Sequence, residues 1–514
     1  MVLTVEEWRK IILDEVVREL VEYFKPVWAL EHALSLLTWD VETYMPSLAS
    51  PYRSIAIGEL LKLVRKRLVS EKLRQLLDKA VERLDKLNDY EKGVVRILER
   101  LYHSNTAWTD ELLARKARVL SEGFNAWKAA KEKDDYSKFK PWLKEVFSIV
   151  REYAERKGYK EHPYDALLDE FEEGLTRRDV VQLFEQLIPR LKKLIERVLS
   201  EGFYPRKHPL EGLSYNSSNM VKLVKRLLTL LGYDWRRGRI DESPHPFTEP
   251  LSINDVRITI RIPGYDPKRT ISGAIHEFGH ALYHMQIDPR LALTPLENAP
   301  GLGIHESQSR FWEIFIGQSL PFIKATYRLL VQYLPGFEDY DVLEVYRYMN
   351  TVRPSLVRVY ADELTYHMHI YVRFRVEEML LSGEISVEDL PEVWNNLMEE
   401  NLGVKPRGVA DGVLQDVHWT QCYVGYFPTY SIGSILAVQI GKKLESTIDD
   451  FWFKVESLEF RDIRGKLKEL IHKYGATYPP KELMRRAIGS YVDPEVFLDY
   501  AYEKYVKLPQ RLLG

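Results

Sequence analysis

The chain has 514 residues, of which 45% are hydrophobic and 29% are charged, and its net charge is −3 at neutral pH. This composition is typical of a soluble globular protein, and the length suffices for a large core or for two lobes around a cleft. Basic residues are interleaved with acidic ones, so the sequence gives no reason to expect nucleic acid as a partner.

Cys422 is the single cysteine, which rules out an intrachain disulfide and is typical of a reducing compartment. The residues from Met1 onward lack a basic stretch followed by an apolar core, so we predict no signal peptide. No segment approaches the ~20 apolar residues that cross a bilayer. We therefore expect a cytoplasmic protein without a membrane partner.

Helical periodicity dominates the chain from its start. A capping box at Thr4 and Glu7 precedes apolar residues that share one helical face between Trp8 and Val21. Similar stripes and the Gly- and Pro-rich breaks around them predict helices over 60–100, 107–158, 178–201 and 217–232.

One stretch breaks the helical period. Residues 255–262 alternate apolar and polar side chains and are rich in β-branched types, which predicts a strand. A second short strand or an irregular segment is expected around 424–431. Since no repeat or long linker divides the chain, we predict one all-α domain over residues 1–514, with two helical lobes around a central groove and a small β element at the groove wall.

A metal-binding motif lies at His276-Glu277-Phe278-Gly279-His280. Residues four apart share one face of a helix, so His276 and His280 can bind the same ion. Glu277 lies roughly 100° round the helix, where it can act as general base toward an attacking water. A catalytic zinc takes three protein ligands and keeps one position open, and Glu306 is the predicted third ligand.

The alternative is a pair of histidines on an ordinary helix face with an unrelated glutamate between them. Apolar neighbours indicate that this helix is buried, where two imidazoles need partners. Gly273 and Gly279 lower helix stability relative to alanine, which indicates close approach of another group to the backbone. His305 is expected to support the site, to donate a hydrogen bond to substrate, or to be a purely structural histidine.

Five sequence blocks, in order, resemble those of the M32 metallocarboxypeptidases, the thermostable carboxypeptidase family of bacteria, archaea and some protozoa. The blocks are 255–259 (D-x-R-x-T), 276–280 (H-E-x-G-H), 305–308 (H-E-S-Q), 357–366 (similar to I-R-x-x-A-D-E-x-T-Y), and 412–419 running on to 425–428. Weaker matches extend the likeness from about residue 36 to the C-terminal end.

The resemblance implies an all-helical fold around a long groove, similar to neurolysin and angiotensin-converting enzyme. It also implies a homodimer with one divalent metal ion per subunit, zinc in the first place and cobalt as an ion that often supports activity. The implied reaction is release of single C-terminal amino acids, with broad specificity, from peptides with a free C-terminus. The chain departs from the family pattern at Cys422, where glycine is usual, at Tyr360, where glutamate is common, and at Ile314, where asparagine is common.

The tetrahedral oxyanion of peptide hydrolysis needs hydrogen-bond donors besides the metal. His418 and Tyr426 are the candidates, because related helical peptidases use a histidine and a tyrosine after the metal site. Core packing is the alternative for Tyr426, one of 31 tyrosines. Gln415 is expected to contact the substrate backbone.

A carboxypeptidase must also recognise the free α-carboxylate, for which the planar, charged guanidinium group is suited. Arg358 is the first candidate and Arg257 the second. The alternative for each is an ordinary salt bridge, Arg257 with Asp255 and Arg358 with Asp362.

A metallocarboxypeptidase is the favoured function. One alternative is an oligopeptidase or dipeptidyl-carboxypeptidase on the same fold. The other is a non-catalytic peptide-binding scaffold whose metal site is structural.

Overall fold

The computed structural model describes residues 6–513. The chain divides into two compact units, each assembled from three separate stretches. The described part of unit 1 comprises residues 6–106, 209–349 and 439–491, and that of unit 2 comprises 107–208, 350–438 and 492–513. The groove predicted from the resemblance stays a prediction.

The first part of the chain is helical, as predicted. Its helices are α1 (Glu15–Thr43), α2 (Ser50–Leu68), α3 (Glu71–Val81), α4 (Asp89–Ala107), α5 (Asp110–Arg118), α6 (Phe124–Glu132), α7 (Lys140–Lys157), α8 (Pro163–Phe171) and α9 (Arg177–Glu201). The predicted capping residue Thr4 lies outside the described residues. The long first helix begins later than predicted because Asp14 accepts hydrogen bonds from the N–H groups of Val16 and Val17 and so caps α1.

The middle of the chain contains the sheet. It runs through α10 (Ser217–Leu231), β1 (Ile240–Glu242), β2 (Thr248–Ser252), β3 (Asp255–Ile260), α11 (Pro267–Gln286), α12 (Leu302–Arg310), α13 (Leu320–Tyr333) and α14 (Val342–Met349). A π-helical turn, Phe311–Ile316, follows α12 directly.

The remaining helices complete both units. They are α15 (Tyr366–Ser382), α16 (Leu390–Leu402), α17 (Pro428–Thr447), α18 (Phe451–Glu456), α19 (Arg461–Leu470), α20 (Pro480–Ile488), α21 (Pro494–Tyr502) and α22 (Leu508–Leu513). The mainly helical fold is therefore confirmed. None of the helices within residues 6–513 combines the length and the hydropathy needed to span a bilayer.

The three-stranded sheet has the order β1-β3-β2, with β1 parallel and β2 antiparallel to β3. The predicted strand is confirmed as β3, and its alternation buries Val256 and Ile258 on one face. The sequence did not indicate β1 and β2, which are short and flank a proline-rich turn. Of the two alternatives for 424–431, the strand is wrong, while the irregular segment is confirmed as far as Phe427, after which α17 begins at Pro428.

Two buried helices organise the two units. In unit 1, α11 packs against α12 and β3, and its apolar residues Ile275, Phe278 and Leu282 are almost fully excluded from solvent. In unit 2, α15 buries both apolar and charged side chains, including Arg373 and Glu377. Buried charges require specific partners, so both helices are expected to hold functional groups in place.

Candidate functional site

Two histidines of α11 and one glutamate of α12 converge in unit 1. The ligand atoms of His276, His280 and Glu306 all lie within 4.8 Å of one another. Glu306 Oε2 is 3.5 Å from the Nε2 atom of each histidine. Two ligands bound about 2.1 Å from one tetrahedral zinc lie roughly 3.4 Å apart. The spacing and the donor types therefore fit a single divalent ion, and the structure brings together the three predicted ligands.

Gly279 allows α12 to approach α11 closely enough for this convergence. A Cβ atom on Gly279 would lie 2.4 Å from the carbonyl oxygen of Gln308 and 2.6 Å from Cα of Ser309. Both contacts are with backbone, which cannot move aside as a flexible side chain can. The predicted close approach is thus confirmed at Gly279. It is wrong at Gly273, where a Cβ would meet only Pro246 Cγ at an ordinary 3.7 Å.

A carboxylate behind the first ligand sets its orientation. His276 Nδ1 lies 2.8 Å from Glu313 Oε2, so Nδ1–H donates to Glu313 and the Nε2 lone pair is left for the ion. Arg310 Nε donates to Glu306 Oε1 over 2.9 Å, and Nη1 donates to Glu313 over 3.3 Å. Arg310 thereby fixes both carboxylates. Arg310 and Glu313 follow Glu306 by four and seven residues, and this helical spacing is the signal in the sequence that could have identified them.

The electrostatics of the cluster favour a cation at its centre. Burial alone would lower the pKa of His276, but Glu306, Glu313 and Glu277 outweigh it and raise that pKa to about 9. Burial likewise opposes ionisation of Glu306, yet His276 and Arg310 hold the pKa of this carboxyl well below its usual range. Several buried acids therefore surround the imidazoles. The carboxylates that stabilise a positive charge on His276 would equally stabilise a divalent ion bound to its deprotonated Nε2.

The predicted general base is held by the small sheet. Glu277 is buried, and its Oε2 accepts a hydrogen bond from Thr248 Oγ1 over 2.7 Å. Thr248 lies at the start of β2, a strand that the sequence did not indicate. The sheet therefore gives Glu277 a fixed orientation beside the ligand pair.

His305 packs behind the second ligand. Its ring stacks on that of His280 with centroids 4.1 Å apart, and its Nε2 lies 2.9 Å from Nε2 of His284. One of these two nitrogens donates and the other accepts, which requires the accepting ring to be neutral. Burial lowers the pKa of His284 to about 3 and lowers that of His305 well below its usual range. These contacts favour the supporting role for His305, while its contact with substrate stays a prediction.

Arg257, also in unit 1, forms the salt bridge expected as its alternative role. Its Nε and Nη2 atoms donate to the carboxylate of Asp255 over 2.9 and 2.8 Å. A role in substrate binding stays a prediction for this residue.

Arg358 lies in unit 2, where its partner differs from the expected one. Its Nε and Nη2 atoms donate to Asp416 Oδ1 over 3.0 and 2.9 Å, and Nη1 donates to the hydroxyl of Tyr366 over 3.0 Å. The expected pairing with Asp362 is wrong. Arg358 begins a 3-10 turn, so the helical i, i+4 spacing does not apply, and Asp362 instead accepts from the N–H groups of Leu364 and Thr365.

A second buried arginine leaves this cluster with a net positive charge. Arg373 Nε donates to Asp416 Oδ2 over 2.7 Å, so two guanidinium groups share one carboxylate. Burial lowers the pKa of Arg373 to about 10, which still leaves it charged at neutral pH. Burial opposes ionisation of Asp416, but the two arginines hold its pKa well below the usual range. Two positive groups and one negative group complement an anion such as a carboxylate.

Gln415 connects the two arginines. Its Oε1 accepts from the backbone N–H of Arg358 over 2.9 Å and from Nη2 of Arg373 over 2.6 Å. Its Nε2 donates to the carbonyl oxygens of Leu356 and Asp411 over 3.1 and 3.0 Å. These bonds favour a role in holding Arg358, and the predicted contact of Gln415 with substrate stays a prediction.

His418 and Tyr426 lie together in unit 2. Their ring centroids are 5.3 Å apart, and His418 Nε2 is 3.3 Å from the hydroxyl of Tyr430. Burial lowers the pKa of His418 to about 4, so its imidazole is neutral near pH 7. Tyr430 is an additional member of this group that the sequence motifs did not single out.

A model of the Carboxypeptidase Taq (M32) metallopeptidases matches residues 19–505. The chain belongs to this family. It is 44% identical to thermostable carboxypeptidase 1 of Pyrococcus furiosus, covering 97% of this chain and 100% of the relative. It is 35% identical to carboxypeptidase 1 of Bacillus subtilis, covering 96% of this chain and 98% of the relative.

Solved structures give the same assignment. A structure of the Pyrococcus furiosus carboxypeptidase superposes with a TM-score of 0.95 at 44% identity, covering 96% of this chain and all of the other. Trypanosoma cruzi metallocarboxypeptidase 1 gives a TM-score of 0.92 at 30% identity, covering 96% of this chain and 99% of the other. The chain is therefore a metal-dependent carboxypeptidase of the M32 family, as the sequence motifs indicated.

One departure from the M32 pattern has a conformational consequence. Cys422 has a φ of 57°, in the left-handed region that favours glycine. It ends the 3-10 turn His418–Gln421 and is buried. The glycine that the resemblance predicts at this position would adopt the same turn without the steric cost that a side chain adds.

Proposed function

We propose that this M32 metallocarboxypeptidase is a zinc enzyme that releases single C-terminal amino acids, with broad specificity, from peptides that have a free C-terminus. The observation that carries the proposal is the convergence of His276, His280 and Glu306 beside a buried, oriented Glu277. Three protein ligands of this type leave a position open for chemistry. An ion held by them supplies a Lewis acid that polarises the scissile carbonyl and makes water more acidic.

Glu277 is the general base in this proposal. The hydrogen bond from Thr248 engages Oε2 and leaves Oε1 to accept the proton of the attacking water. Glu277 then passes that proton to the leaving amine. The alternative of a non-catalytic scaffold assigns no chemical role to the buried carboxylate of Glu277.

The residues of unit 2 are proposed to recognise the substrate and to stabilise charge. Arg358 binds the α-carboxylate, which is supported by the net positive charge of its cluster with Arg373 and Asp416. His418 and Tyr426 donate hydrogen bonds to the tetrahedral oxyanion, which is supported by their proximity to each other and by the neutral state of His418.

The substitution Glu277→Gln tests the mechanism. It keeps the shape of the side chain and the acceptor for Thr248 but removes the base, so kcat should fall by about 10²–10⁴-fold. Metal analysis of the same variant should still find one ion per subunit. Unchanged turnover would support the scaffold alternative and overturn the proposal.

Product analysis tests the specificity. A peptide with a free C-terminus should lose one residue at a time, and the same peptide with an amidated C-terminus should persist. Internal cleavage or release of dipeptides would instead identify an oligopeptidase or a dipeptidyl-carboxypeptidase. Metal analysis of protein purified without added metal, followed by reconstitution with zinc or cobalt, tests the identity of the ion.

We also propose a homodimer. Besides the family resemblance, the proposal is supported by large apolar side chains exposed on unit 1, namely Leu48 just before α2 and Tyr52 and Ile55 in its first turns. Light scattering should give twice the chain mass, and Ile55→Glu together with Tyr52→Glu should shift the mass toward one chain. A parental protein of one chain mass would refute the dimer. The cytoplasmic location stays a prediction.

A further inference from the structure

A buried glutamate of α15 binds the segment that carries the proposed oxyanion donors. Glu377 is fully excluded from solvent and accepts three hydrogen bonds. Its Oε1 accepts from Trp419 Nε1 over 2.8 Å, and its Oε2 accepts from the backbone N–H of Gly425 over 2.9 Å and from the hydroxyl of Tyr164 over 2.6 Å. Both oxygens are thus engaged.

The two loop residues that donate to Glu377 are sequence neighbours of the proposed oxyanion donors. Trp419 directly follows His418, and Gly425 directly precedes Tyr426. Between them the chain forms one 3-10 turn and then irregular backbone, and its backbone hydrogen bonds, donated by Thr420, Cys422, Tyr423 and Val424, all stay within residues 417–424. Glu377 therefore attaches both ends of the segment 419–425 to a rigid helix.

Gly425 lets the backbone come close to α8 at this point. Its φ is 91°, and a Cβ atom there would lie only 3.0 Å from the backbone of Leu167 and Leu168. The glycine backbone packs against α8 while its N–H group donates to Glu377. Gly425, the residue before Tyr426, is therefore held by α8 on one side and by Glu377 on the other, and this fixes where Tyr426 begins.

The use of a carboxyl group here is costly for stability. A fully buried carboxylate loses its hydration, and burial raises the pKa of Glu377 to about 7. Apolar packing between α15 and the loop would avoid this cost, but it would not specify the direction of an N–H group or an indole ring. Directional hydrogen bonds are required where the neighbouring side chains must be placed accurately.

We propose that Glu377 is a positioning residue of this peptidase, which holds the segment 419–425 so that His418 and Tyr426 reach the substrate oxyanion. The inference rests on the proposed function of those two donors. Donors to the oxyanion act in the transition state and contribute little to binding of the intact peptide. Loss of the Glu377 contacts should therefore lower kcat and leave KM nearly unchanged.

Arg373 provides an internal comparison, because it lies one turn before Glu377 on the same helix. It contacts the Asp416 and Gln415 that hold Arg358, the proposed carboxylate ligand. Its conservative replacement, Arg373→Lys, should raise KM. A general loosening of α15 would change kcat and KM together in both variants, whereas specific positioning separates the two effects.

The test uses the full-length, metal-loaded enzyme and the variant Glu377→Gln. A displacement of about 1 Å in a catalytic group costs about 10²-fold in rate, so we expect kcat to fall between about 10- and 100-fold with KM within about twofold of the parent. Glu91→Gln is the matched control, since Glu91 is also buried and accepts backbone N–H groups of Leu13, Asp14 and Asn88 in unit 1. That control should keep the parental kcat.

A double-variant cycle distinguishes failure of this inference from failure of the proposed function. Tyr426→Phe alone should lower kcat, and adding Glu377→Gln should lower it further by less than Glu377→Gln does alone, with the remaining effect acting through His418. Full activity of Tyr426→Phe would refute the role proposed for Tyr426. A slow Tyr426→Phe with a fully additive double variant would refute the positioning role of Glu377.

A variant from the loop side keeps the inference testable if Glu377→Gln does not fold. Trp419→Phe removes the indole donor and retains an aromatic ring in the core. It should also lower kcat at nearly constant KM, and parental kcat in this variant would overturn the inference.

Discussion

Adding one methyl group at Gly279 should separate the metal ligands. In Gly279→Ala, the new Cβ would begin 2.4 Å from the carbonyl oxygen of Gln308 and 2.6 Å from Cα of Ser309. Ordinary contact begins at 3.4 Å, so α11 and α12 must move apart by about 1 Å. Both atoms belong to the backbone of α12, so the movement displaces the helix that carries Glu306.

The expected loss of metal affinity in Gly279→Ala follows from the distances between the ligand atoms. Glu306 Oε2 is now 3.5 Å from each histidine Nε2, and a 1 Å separation would bring that distance to about 4.5 Å, well beyond the roughly 3.4 Å of a tetrahedral site. We expect metal affinity to fall by about 10- to 100-fold. Overpacking also costs about 1–3 kcal/mol, of which improved helix propensity offsets about 1 kcal/mol.

Competition with a chromophoric zinc chelator measures the affinity directly, independently of peptide turnover. Gly273→Ala is the matched control, because its Cβ meets Pro246 Cγ at 3.7 Å without a clash. This control should bind zinc as the parent does and should unfold at a slightly higher temperature. Parental zinc affinity in Gly279→Ala would refute the argument that this glycine sets the position of Glu306.

Three further predictions concern residues around the two clusters. Glu313→Gln weakens the orientation of His276, so chelator competition should show zinc affinity lowered by about 10- to 100-fold, while a parental value would show that Glu313 does not orient the ligand. Arg358→Lys replaces a planar fork with a point charge, so steady-state kinetics should show KM raised at least about tenfold; an unchanged KM would refute carboxylate binding. The pKa of Glu377 rises from 4.5 to about 7 on folding, so the free energy of unfolding of the parent falls as the pH rises from 4.5 to 7. Urea unfolding should therefore show Glu377→Gln gaining about 3 kcal/mol relative to the parent between these two pH values, and a pH-independent difference would contradict the raised pKa.

The sequence predicted most of what depends on local spacing. The helical period identified α9 and α10 closely, and the i, i+4 rule correctly paired His276 with His280. The assignment of Glu306 came from the requirement of the metal for a third ligand. Glu306 could therefore be assigned as a ligand before the packing of α11 against α12 was known.

What the sequence could not supply depends on contacts between distant segments. Thr248 reaches Glu277 only because a short strand pairs beside α11, and five residues of strand give too weak a pattern to predict. The pairing of Arg358 with Asp416 joins residues 58 positions apart, and the expectation of Asp362 failed because it assumed a helix where a 3-10 turn forms. Tertiary packing decides both cases.

In the proposed mechanism His276, His280 and Glu306 bind one ion, and Glu277 lies beside it. Anomalous scattering at the zinc edge from crystals of the zinc-loaded protein tests this most directly. One strong peak per subunit is expected, about 2.1 Å from both imidazole nitrogens and from a carboxylate oxygen of Glu306. A peak elsewhere, or a Glu306 side chain turned away from the histidine pair, would contradict it.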